Sequence, residues 1–408
     1  MSYEPRARTI RRRPGGRPRS RALLGAGAVG ATLALLVSAC GSGTGDSASA
    51  GSDDPIELGI SVPLSGAVGS SCTPMNKAML AWFKHVNDSG GVNGRQIKID
   101  NRDDGYDAAR AVTNTKAFIA KKVVAVTGQC GSLQPPAQVP LLGAAKIPFL
   151  FVFGASTKLL DPLNPMYFNL MPTYGDQLVA AVPWIFQHHG TGSVAIMSTT
   201  TPDSEHTASS VSEAVKKAGG TVAGTFTAPP GTADFSPYVL KMKGLHPDYI
   251  VLNQIPQDAA RFTKAMTAQK LAPTKKLLGS SAVSQATFLS TVDPAVMPKL
   301  VVTSDTLAPS AAENTECTKV VKAAGLEVEG VTLRGCGTAQ VVTEVLKRVG
   351  DKVTGPAIVS ELESWKNVKA SEIYPELTFS KTNHVGVSSL YILGVKDGEF
   401  EQIGQLGE

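Results

Sequence analysis

The chain has 408 residues, a length typical of two globular domains or slightly more than two. Of these residues, 42% are hydrophobic and 18% are charged. Residues 1–39 contain eight arginines and one acid, and these account for the formal charge of +5, because the remaining residues include 31 basic and 33 acidic side chains. With a net charge of −2 beyond residue 39, the sequence gives no argument for nucleic-acid binding, and we predict no such partner.

The first 39 residues predict a signal peptide of the bacterial lipoprotein type. An apolar segment at 22–39 follows the arginines and ends in Ser-Ala-Cys at Cys40, which resembles a lipobox. The alternative, a transmembrane anchor, needs about 20 apolar residues, and only about 17 weakly apolar ones are present. We expect a lipid on Cys40, a flexible tether over 40–54, and a location at the outer face of the cytoplasmic membrane or in the periplasm. Arg11-Arg12 leaves both Sec and Tat export open.

Residues 55–132 predict alternating strands and helices. Two helices are expected between three strands, and the first helix is expected to begin with Thr73 as N-cap and Pro74 as the first helical residue. The strands are expected at 56–62, 96–100 and 123–127, with the second helix at 107–121. A β-α-β-α-β order of this kind builds a parallel sheet.

Three groups of residues in this unit resemble a known family. They are Leu58-Gly59 with Pro63-Leu64-Ser65-Gly66, Asn87 with Gly90-Gly91-Val92-Asn93-Gly94-Arg95-Gln96-Ile97, and Asp103-Asp104. Their order and spacing are similar to those of solute-binding proteins of Leu/Ile/Val-type ABC importers, which have the type I periplasmic-binding fold. The resemblance covers roughly residues 56 to 400.

This resemblance implies an α/β protein with two doubly wound parallel-sheet lobes joined by a three-strand hinge. Lobe 1 is expected to comprise 55–172 and 304–377, and lobe 2 to comprise 173–303 and 378–408. Further strands are expected at 147–153, 193–197, 221–226, 247–252, 277–278, 301–305 and 390–395, and further helices at 134–146, 175–189, 210–218, 313–324, 338–349 and 355–365.

Four cysteines besides Cys40 predict two disulfides, because an exported chain folds in an oxidising compartment. Cys72 is expected to pair with Cys130, since both lie in loops at the same end of neighbouring strands. Cys317 is expected to pair with Cys336, which is close in sequence. Loop entropy gives a stabilisation of about 4 and about 3 kcal/mol respectively. No spacing of cysteines or histidines indicates metal ligands, and we expect no metal and no cofactor.

Loops after the strands of lobe 1 contain the first candidate ligand contacts. Gln129 and Ser132 precede a helix, whose free N–H groups and positive end suit a carboxylate or another acceptor. The matching loop binds ligand in the family, although both side chains could instead simply cap the helix. Ala155 and Ser156 resemble the family segment that holds the acid group of the ligand. Together with Ser71, these residues are expected to fix the acceptor end of the ligand.

The second lobe departs from the family pattern. Where relatives have a Tyr-Gly pair that touches the ligand, the loop after the strand at 193–197 has neither residue. Asp203 or Glu205 would neutralise a ligand ammonium, although an acid that begins a helix is also a common capping residue. Asn253, at the end of a later strand, is expected to contact the ligand together with Asp203.

The sequence predicts a binding protein rather than an enzyme. It has no GxSxG, no phosphate-binding loop and no GxGxxG after a strand, and its six histidines are scattered. The resemblance implies a monomeric, lipid-anchored protein that captures a small polar ligand, an amino acid, an amide or a small carboxylate, by hinge closure and delivers it to an ABC permease. The alternative is a sensor of the same fold that acts on a signalling partner. Neither the ligand nor the open or closed state is predicted.

Overall fold

The computed structural model describes residues 54–66, 68–154, 159–201 and 203–407. The predicted signal peptide, Cys40, the tether up to residue 53, Ala155 and Ser156 lie outside the described residues. The described residues form two α/β lobes, each built on one sheet. Within these ranges, no helix is long and apolar enough to cross a membrane.

The sheet of the first lobe is entirely parallel. Its strands are β1 (Ile56–Val62), β2 (Ile97–Asp103), β3 (Ala125–Thr127), β4 (Phe149–Leu150) and β5 (Tyr167–Phe168), and its helices are α1 (Gly69–Asp88), α2 (Ala108–Lys121) and α3 (Pro135–Ala144). The strand order is β2-β1-β3-β4-β5. The central strands are buried on both faces, which explains their nearly continuous apolar sequences.

The second sheet has seven strands in the order β12-β11-β10-β9-β8-β6-β7. The strands are β6 (Ser193–Thr199), β7 (Thr221–Ala228), β8 (Tyr249–Asn253), β9 (Lys276–Gly279), β10 (Leu300–Ser304), β11 (Leu390–Lys396) and β12 (Glu399–Leu406), and the helices are α4 (Tyr174–His189), α5 (Ser204–Lys217), α6 (Ser236–Lys243), α7 (Pro256–Ala268) and α8 (Ala286–Leu289). Strands β6 to β10 pair in parallel, whereas β11 and β12 pair antiparallel. The predicted parallel sheet therefore has an antiparallel hairpin at one edge.

Three helices return to the first lobe: α9 (Glu316–Ala323), α10 (Gly330–Val349) and α11 (Gly355–Glu363). Helix α10 packs along α1, and its Gly335 allows this contact because a Cβ there would lie 2.1 Å from the Met75 carbonyl oxygen. The chain therefore passes between the lobes at 169–173, at 305–315 and directly before β11, because Trp365, Phe379 and Val387 still pack in the core of the first lobe. The first and third passages are hydrogen-bonded, with the Val387 N–H donating to the Leu170 carbonyl at 2.8 Å.

Several predicted element boundaries differ from the structure, including the starts of α5, at Ser204 rather than 210, and of α10, at Gly330 rather than 338. Two other differences have a clear physical reason. Helix α1 begins at Gly69 rather than at Thr73, so Pro74 lies inside it. Burial of Gly69 and Cys72 against the core outweighs the local proline signal, and Cys72 consequently lies in a helix rather than in a loop. The strand expected at 147–153 contains only Phe149–Leu150, because Phe151 has a φ of 60° and leaves the extended conformation.

Both predicted disulfides are confirmed. Cys72 in α1 is bonded to Cys130 after β3, with a Cα–Cα distance of 5.9 Å. Cys317 in α9 is bonded to Cys336 in α10, with a Cα–Cα distance of 5.7 Å. The first bond joins α1 to the loop after β3, and the second joins two adjacent helices of the same lobe.

Candidate ligand-binding cleft

A cavity of about 100 Å³ lies between the lobes, at the carboxyl ends of the parallel strands of both sheets. Loops in this position bind ligands in open α/β sheets, because strand ends and helix starts leave backbone groups free there. A buried water needs roughly 10–15 Å³ of such space, so the cavity has room for several waters or a small organic molecule. The fold therefore places a binding-sized cavity where both lobes supply its walls.

The first-lobe wall is formed by two loops in direct backbone contact. The Gly131 N–H donates to the Phe153 carbonyl at 2.6 Å, and the Phe153 N–H donates to the Gln129 carbonyl at 2.8 Å. Gly154 has a φ of 122°, and a Cβ at this position would lie 2.9 Å from the Gly131 carbonyl carbon. Glycine is thus required at position 154 by both its conformation and the close approach of the two loops.

The Cys72–Cys130 disulfide is itself part of this wall, because both cysteines line the cavity. Ser71, which precedes Cys72 in α1, also lines it, as does Ser132. Ser132 is hydrogen-bonded to the Tyr106 phenol, another lining group. Burial raises the pKa of Tyr106 in spite of that bond, so the phenol is neutral and can donate a hydrogen bond.

Gln129 does not line the cavity, in contrast to its predicted role as a ligand contact. It is fully buried behind the wall, where its Nε2 donates to Asp104 Oδ2 at 3.2 Å. The same carboxylate accepts from Ser61 Oγ at 2.9 Å, from Gln134 Nε2 at 3.0 Å and from the Tyr106 N–H at 2.9 Å. In the structure, Gln129 belongs to a buried network around Asp104 that supports the wall from behind.

A second carboxylate, Asp103, fixes the loop after β1. It accepts hydrogen bonds from the Leu64 N–H at 2.9 Å, from Ser65 Oγ at 2.6 Å and from the Gly105 N–H at 2.8 Å, and it forms an ion pair with Arg110 at 2.9 Å. Burial alone would raise its pKa, but these donors together lower the pKa well below the ordinary value. Asp103 therefore acts as a charged clamp on the loop that leads to the cavity wall.

On the second-lobe wall, the predicted ligand contacts Asp203 and Asn253 both line the cavity, whereas Glu205 is exposed on α5 and does not. Asn253 Nδ2 donates to Ser198 Oγ at 3.0 Å, so its amide nitrogen already has a partner. The neighbouring Gln254, which follows the same strand, was not among the predicted ligand contacts. It lines the cavity with only 5% of its surface exposed. Its place directly after β8 was the one signal available in the sequence.

Among the described residues, a hydrogen bond crosses the cleft from Gln257 Nε2 in α7 to Ser71 Oγ in α1, at 3.1 Å. Among the described residues that line the cavity, Asp203 is the one charged side chain, and the rest are amides, hydroxyls, glycines, the disulfide and apolar groups such as Phe153 and Ile255. Within the described ranges, the polar groups that line the cleft are therefore mainly uncharged hydrogen-bonding groups. No group of three or more acidic, histidine or cysteine side chains in these ranges is arranged to hold a metal ion.

A buried ion pair lies behind the cavity wall. Arg334 of α10 donates to both carboxylate oxygens of Asp305, which follows β10 on the second passage between the lobes. The guanidinium also lies 4.6 Å from the centroid of the Phe153 ring. Burial opposes the charge of Arg334, but attraction to Asp305 outweighs this effect and the pKa is raised. The pair thus ties one passage between the lobes to the core of the first lobe.

The arrangement defines a two-lobed α/β binding protein with its site in the cleft between the lobes. A family model described as "Periplasmic binding protein" matches residues 55–399. The chain therefore belongs to the periplasmic binding protein family, which agrees with the family resemblance in the sequence.

Individual relatives and solved structures are consistent with this assignment. The chain is 25% identical over 334 residues to the Leu/Ile/Val-binding protein homolog 1 of Brucella suis, covering 79% of this chain and 83% of that protein. It superposes with a TM-score of 0.77, at 18% identity, on a branched-chain amino acid ABC transporter protein from Thermus thermophilus with bound valine, covering 87% and 97% of the two chains. A solute-binding protein of an ABC transporter from Rhodopseudomonas palustris, in complex with 3,4-dihydroxybenzoic acid, gives a TM-score of 0.74 at 20% identity, with coverage of 86% and 97%.

Replacing both Cys72 and Cys130 by serine is expected to reduce both stability and ligand affinity, because this disulfide closes a long loop and also forms part of the cavity wall. The loss in unfolding free energy is expected to be about 4 kcal/mol. The matched control is the Cys317→Ser/Cys336→Ser protein, which should lose about 3 kcal/mol and keep the affinity of any ligand that the unmodified protein binds. Urea denaturation and calorimetric titration measure the two effects. Equal affinity losses in both proteins would contradict a local role for the Cys72–Cys130 bond.

Asp103→Asn is expected to lower the free energy of unfolding at pH 7 by about 1.5 kcal/mol or more, because the charged acceptor is lost. The folded-state pKa of Asp103 is depressed, so its contribution is fully present above the unfolded-state pKa of about 3.9 and disappears as the pH falls through the folded-state value. The difference between the two proteins should therefore shrink below about pH 4 in denaturation curves. Asp397→Asn, at an exposed turn, is the control. If the difference in unfolding free energy between the two proteins stays constant from pH 7 to pH 3, the charged form of Asp103 does not stabilise the loop.

Proposed function

We propose that this protein is an extracytoplasmic solute-binding lipoprotein of an ABC importer. In this proposal it captures a small polar ligand, an amino acid, an amide or a small carboxylate, in the cleft between its lobes, and passes the ligand to a membrane permease. The observation that carries the proposal is the cavity itself, which both lobes line at the carboxyl ends of their strands. The two solved structures described above hold valine and 3,4-dihydroxybenzoic acid, which supports a small-molecule ligand.

The proposed ligand contacts come from both lobes. In the first lobe we assign them to Ser71 and Ser132, which line the cavity, and to Ala155 and Ser156 on the basis of their family resemblance. In the second lobe we assign them to Asp203 and Asn253, which line the opposite wall. Gln129 acts indirectly, by positioning the loop to which Ser132 belongs.

Binding by hinge closure follows from this two-sided site. A ligand that touches both lobes makes its full set of contacts only when the lobes are together, so it shifts the population toward the closed form. The Ser71–Gln257 hydrogen bond supports this account, because it joins α1 to α7 directly across the cleft. The three passages between the lobes would serve as the hinge, and we propose 55–172 with 304–377, and 173–303 with 378–408, as the two moving units.

The remaining parts of the proposal concern location and assembly. We propose that Cys40 carries the lipid, that residues 40–54 tether the binding domain to the membrane, and that the protein acts as a monomer. Membership of the periplasmic binding protein family supports an extracytoplasmic location. The two disulfides support it as well, because such bonds persist in oxidising compartments.

A thermal-denaturation screen of the oxidised protein tests the function. Amino acids, amides, urea and aromatic or aliphatic carboxylates are added separately, and a true ligand must raise the melting temperature because it binds only the folded state. At 100 times its dissociation constant, such a ligand adds about 2.7 kcal/mol of stability. The Ser132→Ala/Ser156→Ala protein should lose most of this increase. Unchanged affinity in that double variant would refute the first-lobe assignment, and a flat response to every compound would refute the proposed function.

A further inference from the structure

The side chain of Gln254 lines the cavity with both of its polar atoms unused. It follows the last residue of β8, is 95% buried, and faces the cleft between the lobes. Neither Nε2 nor Oε1 has a hydrogen-bond partner among residues 54–66, 68–154, 159–201 and 203–407. Buried amide groups are nearly always hydrogen-bonded, because desolvation without a partner is costly. Both atoms are shielded from solvent in this arrangement, and a small displacement of the side chain would bring them into contact with a ligand in the adjacent cavity.

The surroundings of Gln254 show which ligand group would satisfy it. Asn253 Nδ2 donates to Ser198, and Gln257 Nε2 donates to Ser71, so the nitrogens of both neighbouring amides are occupied within the protein. Gln257 Oε1, by contrast, is buried without a partner among the described residues. Gln254 and Gln257 therefore offer one unpaired donor atom and two unpaired acceptor atoms among the described residues, and neither side chain is charged.

Simple charged groups match the unpaired atoms of Gln254 and Gln257 poorly. An ammonium has only donors, so it would satisfy the Gln254 oxygen and leave the amide nitrogen without an acceptor. A carboxylate has only acceptors, so it would satisfy the nitrogen and leave both glutamine oxygens unpaired. A group with an N–H beside a C=O pairs with both atoms of a glutamine amide at once. Rotating the amide by 180° exchanges its oxygen and nitrogen without altering this requirement.

We propose that Gln254 determines specificity by forming a paired hydrogen bond with a neutral amide-type group of the ligand: a carboxamide, a lactam or a urea. The proposal rests on the proposed function and narrows its ligand class. Val68, Phe153 and Ile255 also line the cavity and provide an apolar surface for the rest of such a ligand. A site that selects by hydrogen bonding rejects a close analogue that lacks the required donor, because buried polar groups of the protein are then left unpaired.

Matched pairs of compounds test the proposal in the unmodified protein. Butyramide and benzamide are compared with butyrate and benzoate by calorimetric titration and thermal denaturation, with 2-pyrrolidone, urea and valine as further probes. We expect the best amide-type probe to bind at least tenfold more tightly than its matched carboxylate and than valine. Equal or tighter binding of the carboxylates or of valine would overturn this inference and leave the proposed function intact. If no amide-type compound, no carboxylate and no amino acid binds, both this inference and the proposed function are overturned.

Substitution of Gln254 provides the second test. Gln254→Glu keeps the shape of the side chain but replaces its donor with an acceptor, and Gln254→Met removes both polar atoms. Each is expected to weaken binding of the best amide-type probe at least tenfold, and Gln402→Glu, exposed on β12, is the control that should leave affinity unchanged. The melting temperature without probe shows whether each protein folds. A folded Gln254→Met protein with unchanged affinity would overturn the proposal.

Discussion

Four hydrogen bonds to the buried carboxylate of Asp104 hold the first-lobe wall of the cleft in place. Two of the donors, Gln129 and Gln134, flank the loop after β3, and a third is the backbone N–H of Tyr106. Because this carboxylate is fully buried, its donors cannot leave it without a large desolvation cost. The Cys72–Cys130 bond fixes the same loop to α1 from the other side. Because this wall is constrained from both sides, ligand binding loses little conformational entropy in ordering it.

The second wall differs in character, because it offers polar groups that the protein leaves unused. In the first lobe, Ser132 is bonded to Tyr106, whereas both polar atoms of Gln254 are unpaired among the described residues. The Ser71–Gln257 bond brings the two walls together. If the lobes close on a ligand as proposed, the free energy of closure depends on the ligand, because only matching groups compensate for desolvation of the second wall.

Much of this architecture was predictable from the sequence, because it depends on local patterns. Strand and helix order followed from hydrophobic periodicity, and the disulfide pairs followed from cysteine positions relative to that order. The start of α1 was predicted incorrectly because tertiary burial of Cys72 overrides the proline at position 74. Gln129 was a predicted ligand contact and Gln254 was not, because the sequence does not show in which direction either side chain turns. Both follow a strand, and only the three-dimensional fold shows that Gln129 turns toward Asp104 while Gln254 faces the cavity.

In the proposed function, one ligand is held by both lobes at once. Hydrogen–deuterium exchange with and without the best-binding compound tests this most directly. Local protection reports which segments a ligand stabilises. We predict that saturation slows exchange in two separate segments together, 128–134 in the first lobe and 253–257 in the second, with smaller effects on the distant edge hairpin of β11 and β12. Protection confined to one lobe, or located away from both segments, would contradict the account of a ligand captured between two closing walls.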